Sequence, residues 1–78
     1  MRPEERIACA RAMLDNPLFG VLMDEMEKSA VDRCVNAKPV DHETRAAMAA
    51  EVRAIRKLRN TITVLVEEAN APNTSAPA

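Results

Sequence analysis

The stretch DHETRAAMAAEVRAIRKLRNTITVLVEEAN, residues 41–70, decides the fold, because it lacks proline and glycine and repeats its apolar residues in heptads. The repeating residues, counted from Met48 at position a, are Ile55, Ile62 and Ala69 at a, Leu58 and Leu65 at d, and Val52 and Val66 at e. This spacing predicts one long helix over about residues 42–70, with a and d facing a neighbouring helix.

Two shorter helices are predicted upstream, over residues 3–14 and 17–37. Pro3 suits the first position of a helix, and Asn16 followed by Pro17 is typical of a helix break with a new N-cap. Gly20 lies early in the second helix, where either the close approach of another helix or simple tolerance explains it. The apolar face predicted for the second helix consists of Phe19, Leu22, Met23, Met26, Ala30, Cys34 and Ala37.

A short connection, Lys38-Pro39-Val40, precedes Asp41, which we expect to cap the third helix. Short loops join antiparallel neighbours, so residue i of the second helix lies level with about 79 − i of the third. This register places Leu22 opposite Leu58, and it places the acids of the second helix beside the cations of the third, namely Asp24 and Glu27 beside Arg53 and Arg56.

The expected fold is therefore all-α, with a short N-terminal helix and a long antiparallel helical hairpin forming a single three-helix domain over residues 1–70. Residues 71–78, APNTSAPA, consist of proline, alanine and small polar residues, and we expect them to form a flexible tail. Neither a membrane span nor a signal peptide is expected, since no run of eighteen apolar residues occurs and the chain opens with Arg2-Pro3-Glu4-Glu5-Arg6.

Composition limits both stability and electrostatics. The chain has 78 residues, 47% of them hydrophobic, but Phe19 is its one aromatic residue. A core of this size rarely supplies more than roughly 3–5 kcal/mol, so self-association would add needed stability. The formal net charge of −1 creates no overall field that would recruit nucleic acid or an anionic membrane.

No catalytic or ligand motif is found, and we expect neither enzymatic activity nor a cofactor nor a metal site. His42, the one histidine, lies beside acids and is interpreted as a surface residue in the first turn of the third helix and not as a proton-transfer group. No disulfide between Cys9 and Cys34 is expected, because the antiparallel layout places them roughly 18 Å apart. Both are predicted to be reduced core residues.

A cationic stripe on the third helix, defined as Arg45, Arg53, Arg56 and Lys57, suggests contact with phosphate or nucleic acid. The alternative is a solvated helix face that pairs with the acids of the second helix. We favour this alternative, because no aromatic residue accompanies the cations to stack a base.

The distal part of the third helix extends beyond the second helix by roughly 12 Å. Its apolar residues would remain exposed unless a second copy or another protein covers them. The interface predicted for self-association, named here the distal strip, consists of Ile62, Leu65, Val66 and Ala69.

The order of features resembles small helical proteins of tailed bacteriophages and prophages. The residues that carry this resemblance are Ala12–Phe19, Lys38–Arg45, and the Ala-rich helix through Ile55, Leu58 and Ile62. The resemblance implies a structural or assembly role in a phage particle, located in the host cytoplasm or the virion, without catalytic residues. Alternatives are a nucleotide- or nucleic-acid-binding module using the cationic stripe, and a small adaptor or inhibitor that docks on a host protein.

Overall fold

The computed structural model describes residues 1–70, so the predicted tail at 71–78 lies outside the described residues. The described chain forms three helices and no strand: α1 spans Pro3–Asp15, α2 spans Pro17–Val35 and α3 spans His42–Asn70. The prediction of an all-α fold is confirmed. Helix α2 ends two residues earlier than predicted, and the Asn36 N–H closes its last turn on the Asp32 carbonyl at 2.9 Å.

Local chemistry explains where α1 and α2 begin. Pro3 is the first residue of α1, where its missing N–H leaves no helical hydrogen bond unmade. The chain becomes extended at Asn16, which precedes Pro17. The Asn16 side-chain oxygen accepts a hydrogen bond from the Leu18 N–H at 2.9 Å, so the predicted cap of α2 is confirmed.

Asp41 caps α3 with both carboxylate oxygens. One oxygen accepts from the Thr44 N–H at 3.0 Å, and the other accepts from the Thr44 hydroxyl at 2.7 Å. The pKa of the Asp41 carboxyl lies below its ordinary value of 3.8. The largest cause is the hydrogen bond from the Thr44 hydroxyl, followed by the bond from the Thr44 N–H; the charge of Arg45 adds a smaller lowering, and burial opposes these effects. The predicted cap of α3 is therefore confirmed.

Helices α2 and α3 make the main packing contact, and they run antiparallel. The direction follows from two ion pairs, because Asp24 contacts Arg59 while Glu27, later in α2, contacts Arg56, earlier in α3. The buried apolar side chains of the two helices are Met23 and Ala30 on α2 and Val52, Ile55 and Ile62 on α3.

The side of α3 that faces α2 differs from the prediction. Positions a and e form the seam, with Val52 buried and Val66 half-buried, whereas Leu58 at position d is 49% exposed. On α2, Met23 is buried while Leu22 and Met26, predicted to face α3, are 46% and 50% exposed. The contact is rotated toward e, where Arg59 meets the acids of α2.

The ion pairs are also displaced by about one turn from the predicted partners. Arg56 Nε lies 3.1 Å from Glu27, and Arg59 Nη1 lies 2.7 Å from Asp24, whereas Arg53 joins neither acid. Long side chains on a helix lean toward the N-terminus of that helix. In an antiparallel pair the two side chains therefore lean toward each other along the axis, and an acid of α2 reaches an arginine that lies several residues later in α3 than the residue directly opposite it. The predicted pairing of Arg53 was wrong for this reason.

Helix α1 packs mainly on the distal part of α3. Ala10 is buried and Ile7 half-buried, and a groove lined by Pro3, Ile7 and Leu65 runs between the two helices. Arg11 also donates a hydrogen bond to the Asn70 side chain. Because α1 lies across the end of α3, it covers much of the apolar surface on the part of α3 that extends beyond α2.

Two residues singled out in the sequence have simple environments. A Cβ added to Gly20 would meet nothing within 4 Å, so no close helix approach requires this glycine. Both cysteines are free thiols, but Cys9 is exposed on α1 instead of lying in the core. Cys34 is half-buried, and its thiol donates to the Arg45 carbonyl at 3.6 Å.

Candidate interaction surfaces

Arg45 closes the connection between α2 and α3. Its guanidinium donates to the carbonyls of Lys38 at 2.7 Å and Pro39 at 2.8 Å, and it contacts His42 Nδ1 at 2.6 Å. Since arginine offers only donors, His42 Nδ1 accepts in this contact. Arg45 and His42 therefore hold the loop against the first turn of α3.

The other members of the cationic stripe do not act as one site. Arg56 is engaged by Glu27. The side chains of Arg53 and Lys57 are exposed and make no hydrogen bond or ion pair with residues 1–70. Two of the four cations are thus committed to contacts within the chain, which leaves Arg53 and Lys57, one turn apart on α3, available to solvent.

The residue that sequence reasoning undervalued is Arg59. Its guanidinium lies in the seam, donates to Asp24 and lies 3.9 Å from Glu27, while its Nε and Nη2 are buried without a hydrogen-bond acceptor in the described chain. Its position at heptad e between apolar residues was the available signal. Arg59 helps to fix how α2 and α3 meet.

The distal strip divides into covered and uncovered residues. Ile62 is only 5% exposed and belongs to the core of the chain, while Leu65 and Val66 are half-buried and Ala69 is exposed. The cover on Leu65 comes from α1, which lies across the adjacent groove. This strip consequently offers much less free apolar surface than the length of α3 alone suggested.

A larger apolar surface lies on one side of the α2–α3 pair. Leu18, Leu22 and Met26 repeat every four residues along α2 and are 46–61% exposed. Leu58 of α3 adds to them; it lies two residues beyond Arg56, about 200° around the helix, and thus on the side away from the ion pairs. We call this surface, defined as Leu18, Leu22, Met26 and Leu58, the Leu22 face.

The opposite side of the α2–α3 pair carries an open groove of about 300 Å³. Its floor includes Val31, Cys34 and Val52, and Arg53 and Arg56 stand at its edge. Arg56 is already paired with Glu27, so Arg53 is the one arginine of this edge without a partner among residues 1–70.

Two further observations concern the described residues. Residues 1–70 contain no group of three or more His, Cys, Asp or Glu side chains arranged to hold a metal ion. None of the three helices combines the length and apolarity needed to cross a membrane.

Comparison of the chain with protein-family models, with curated proteins and with solved structures gave no match.

Proposed function

We propose that this chain is a non-enzymatic helical protein that associates with itself and serves in a phage particle or in its assembly. The observation that supports self-association is the amount of apolar surface that the described chain leaves exposed. Ten large hydrophobic residues are exposed, whereas the buried set has six members, two of them alanines. A partner that covers part of this surface would supply the missing core.

Energetic considerations support self-association. Fully burying a Leu or Met side chain contributes about 1.5–3 kcal/mol, so covering the exposed half of four such side chains contributes on the order of 3–6 kcal/mol per protomer. A monomer core of this size supplies roughly 3–5 kcal/mol. Association could therefore double the stability of the fold.

The phage role rests on the resemblance carried by Ala12–Phe19 and Lys38–Arg45. In the structure these segments contain the break between α1 and α2 and the connection between α2 and α3, which Arg45 holds by a hydrogen bond to the Lys38 carbonyl. Both features shape a helical hairpin, which suits a protein that works by packing against copies or neighbours.

Light scattering coupled to size-exclusion chromatography tests the self-association. We expect a mass of at least two chains at micromolar concentration, unchanged by added nucleic acid, and a melting temperature that rises with protein concentration. A single-chain mass at high micromolar concentration, with a constant melting temperature, would remove the proposal.

The phage role needs a separate experiment. Particles induced from the strain that encodes the protein are banded on a density gradient and probed with an antibody against it. We expect the protein to band with particles, or its deletion to reduce the yield of complete particles. A protein absent from the band, with an unchanged particle yield on deletion, would contradict a role in the particle or its assembly.

A further inference from the structure

We propose that copies of this chain associate head to tail, with a ridge on α2 of one copy lying in the open groove between α2 and α3 of the next. This ridge, named here the outer ridge, is defined as Leu18, Val21, Leu22 and Glu25. The inference rests on the proposed self-association and specifies the two surfaces that join. Because these surfaces differ, each copy can bind two others.

The outer ridge lies on the side of α2 that points away from α3. Val21 and Glu25 are each two residues from the buried Met23, which places them about 160° around the helix from the seam. Leu18 is 61% exposed and Val21 is 50% exposed. Helix α1 packs mainly on α3, so this side of α2 remains open to a second copy.

The residues of the outer ridge have the spacing of a helix that binds in a groove. Positions 18, 21, 22 and 25 follow the i, i+3, i+4, i+7 pattern of such helices. The first three are apolar and the fourth is acidic. The Glu25 side chain is exposed and makes no hydrogen bond or ion pair with residues 1–70. The ridge is therefore an apolar row that ends in an unpaired negative charge.

The groove between α2 and α3 has the complementary character. Its apolar lining includes Val31, Val35 and Ala49, and Val35 is 76% exposed. Arg53 stands at its edge without a partner among residues 1–70, whereas Arg56 is paired with Glu27. An apolar occupant that carries a carboxylate would satisfy both features. A nucleic acid would pair with the arginine but leave the valines exposed.

The register along α3 selects a second copy of this chain as the occupant. When the outer ridge runs parallel to α3, one shift of 28 residues brings all four of its residues level with complementary residues. The pairs are Leu18 with Ala46, Val21 with Ala49, Leu22 with Ala50 and Glu25 with Arg53. Large apolar side chains thus meet small ones, and the acid meets the unpaired arginine.

Charge also selects the direction of the ridge in the groove. If the ridge ran the opposite way with Val21 still level with Ala49, Glu25 would lie level with Arg45. The guanidinium of Arg45 already binds the carbonyls of the connection between α2 and α3. Only the parallel direction gives both Glu25 and Arg53 a partner.

The contact is heterologous, because ridge and groove use different sides of α2. Leu18 and Val31 are thirteen residues apart, which is about 140° around the helix. A heterologous contact generates a ring if its rotation closes and a filament if it does not. Either product suits a component that is repeated in a particle, in agreement with the proposed function.

Blocking each surface separately tests this contact. Val21→Asp blocks the ridge and Val35→Asp blocks the groove, and both replace exposed side chains. Leu58→Asp is the matched control, since Leu58 is an exposed apolar residue outside both surfaces. Analytical ultracentrifugation at low salt measures mass and Kd, and circular dichroism measures helix content.

A charge pair tests the register through exposed residues alone. The variants are Glu25→Arg and Arg53→Glu, studied separately and mixed, with Arg33→Glu as the control, because Arg33 is exposed and does not line the groove. We expect each of the first two to raise Kd about tenfold alone, because like charges then meet. Their equimolar mixture should return to within about threefold of wild type, and Arg33→Glu should match wild type throughout. If Val21→Asp or Val35→Asp loses helix content, this charge pair decides the outcome.

For wild type we expect a mass that exceeds two chains, either rising with concentration or reaching a constant ring. Val21→Asp and Val35→Asp should each raise Kd at least tenfold, and Leu58→Asp should not. An equimolar mixture of the two blocked variants should form a complex of two chains and nothing larger, because one intact ridge and one intact groove remain.

Three results would overturn the head-to-tail contact while leaving self-association intact. They are a wild type that stops at two chains, blocked and charge variants that keep the wild-type Kd, and mixtures that associate no better than their components. A monomeric wild type would overturn both proposals.

Discussion

At the scale of single residues, Asp41 links a local cap to pH. Because its pKa is lowered in the folded chain, its cap is fully effective above pH 3.8 and is lost as pH falls from 3.8 through the lower native value. We expect Asp41→Asn, which keeps a cap acceptor without a titrating charge, to show a flatter fall in melting temperature across this range. Melting curves of both proteins from pH 5 to about pH 2 measure the difference; parallel curves would show that Asp41 does not contribute.

Gly20 provides a second test at this scale. Its position is helical, and an added Cβ would have open space around it. We expect Gly20→Ala to raise the free energy of unfolding by about 0.5–1 kcal/mol, because the alanine restricts the unfolded chain without creating a clash. Urea unfolding checks the result, and a destabilised variant would mean that a partner approaches α2 closely at this point.

At the scale of helices, the break between α1 and α2 depends on Asn16. The side-chain bond to the Leu18 N–H satisfies one of the free donors at the start of α2. We expect Asn16→Ala to cost about 0.5–2 kcal/mol, and Asn16→Asp to cost little because it keeps the acceptor. Thermal melts of the two variants test this prediction. Equal melting temperatures for wild type and Asn16→Ala would show that the Asn16 cap does not stabilise the fold.

The contact between α2 and α3 depends on Glu27 more than on Asp24. Glu27 contacts both Arg56 and Arg59 and its side chain is 25% exposed, whereas the Asp24 side chain is 71% exposed. We expect Glu27→Ala to cost about 1–2 kcal/mol, since it removes the hydrogen-bond acceptor of Arg56 and takes the nearby negative charge from the buried Nη2 of Arg59. Asp24→Ala, the matched control, should cost roughly 0–1 kcal/mol. Equal losses in chemical unfolding would refute the role assigned to Glu27.

At the scale of the whole molecule, the described chain is an elongated stack of helices, with extents of 56 × 31 × 20 Å. Its thinnest dimension is about two helix diameters, so each helix has one side against a neighbour and another side toward solvent. This explains why no large side chain in the described residues is fully enclosed.

The docking of α1 gives a test at this scale. We expect Leu65→Asp to release α1 from α3, with a loss of roughly 1–3 kcal/mol, because a charge replaces an apolar side chain in their shared groove. Trypsin should then cleave faster after Arg6 and Arg11, as mass spectrometry of timed digests would show. Leu58→Asp, on the same side of α3 but beyond α1, should leave these cleavages unchanged. Equal acceleration in both variants would argue against α1 as the cover of Leu65.

The positions of the three helices could be predicted from the sequence, because their causes are local. Pro3, Asn16 and Asp41 act on groups within three residues of themselves, so each helix start follows from neighbouring residues. The long heptad pattern likewise predicted α3 with its observed limits. What the sequence by itself determined is where the chain is helical.

Only the tertiary structure decided which sides of the helices meet. Heptad positions d and e are about 100° apart, and the apolar pattern of α3 includes both, so periodicity alone does not choose between Leu58 and the side of Arg59. The choice depended on the acids of α2, which lie more than 30 residues away in the chain, and on α1 covering Leu65. The free surface at Leu22, Met26 and Leu58 is the consequence, because a small rotation of packed helices changes which apolar residues remain exposed.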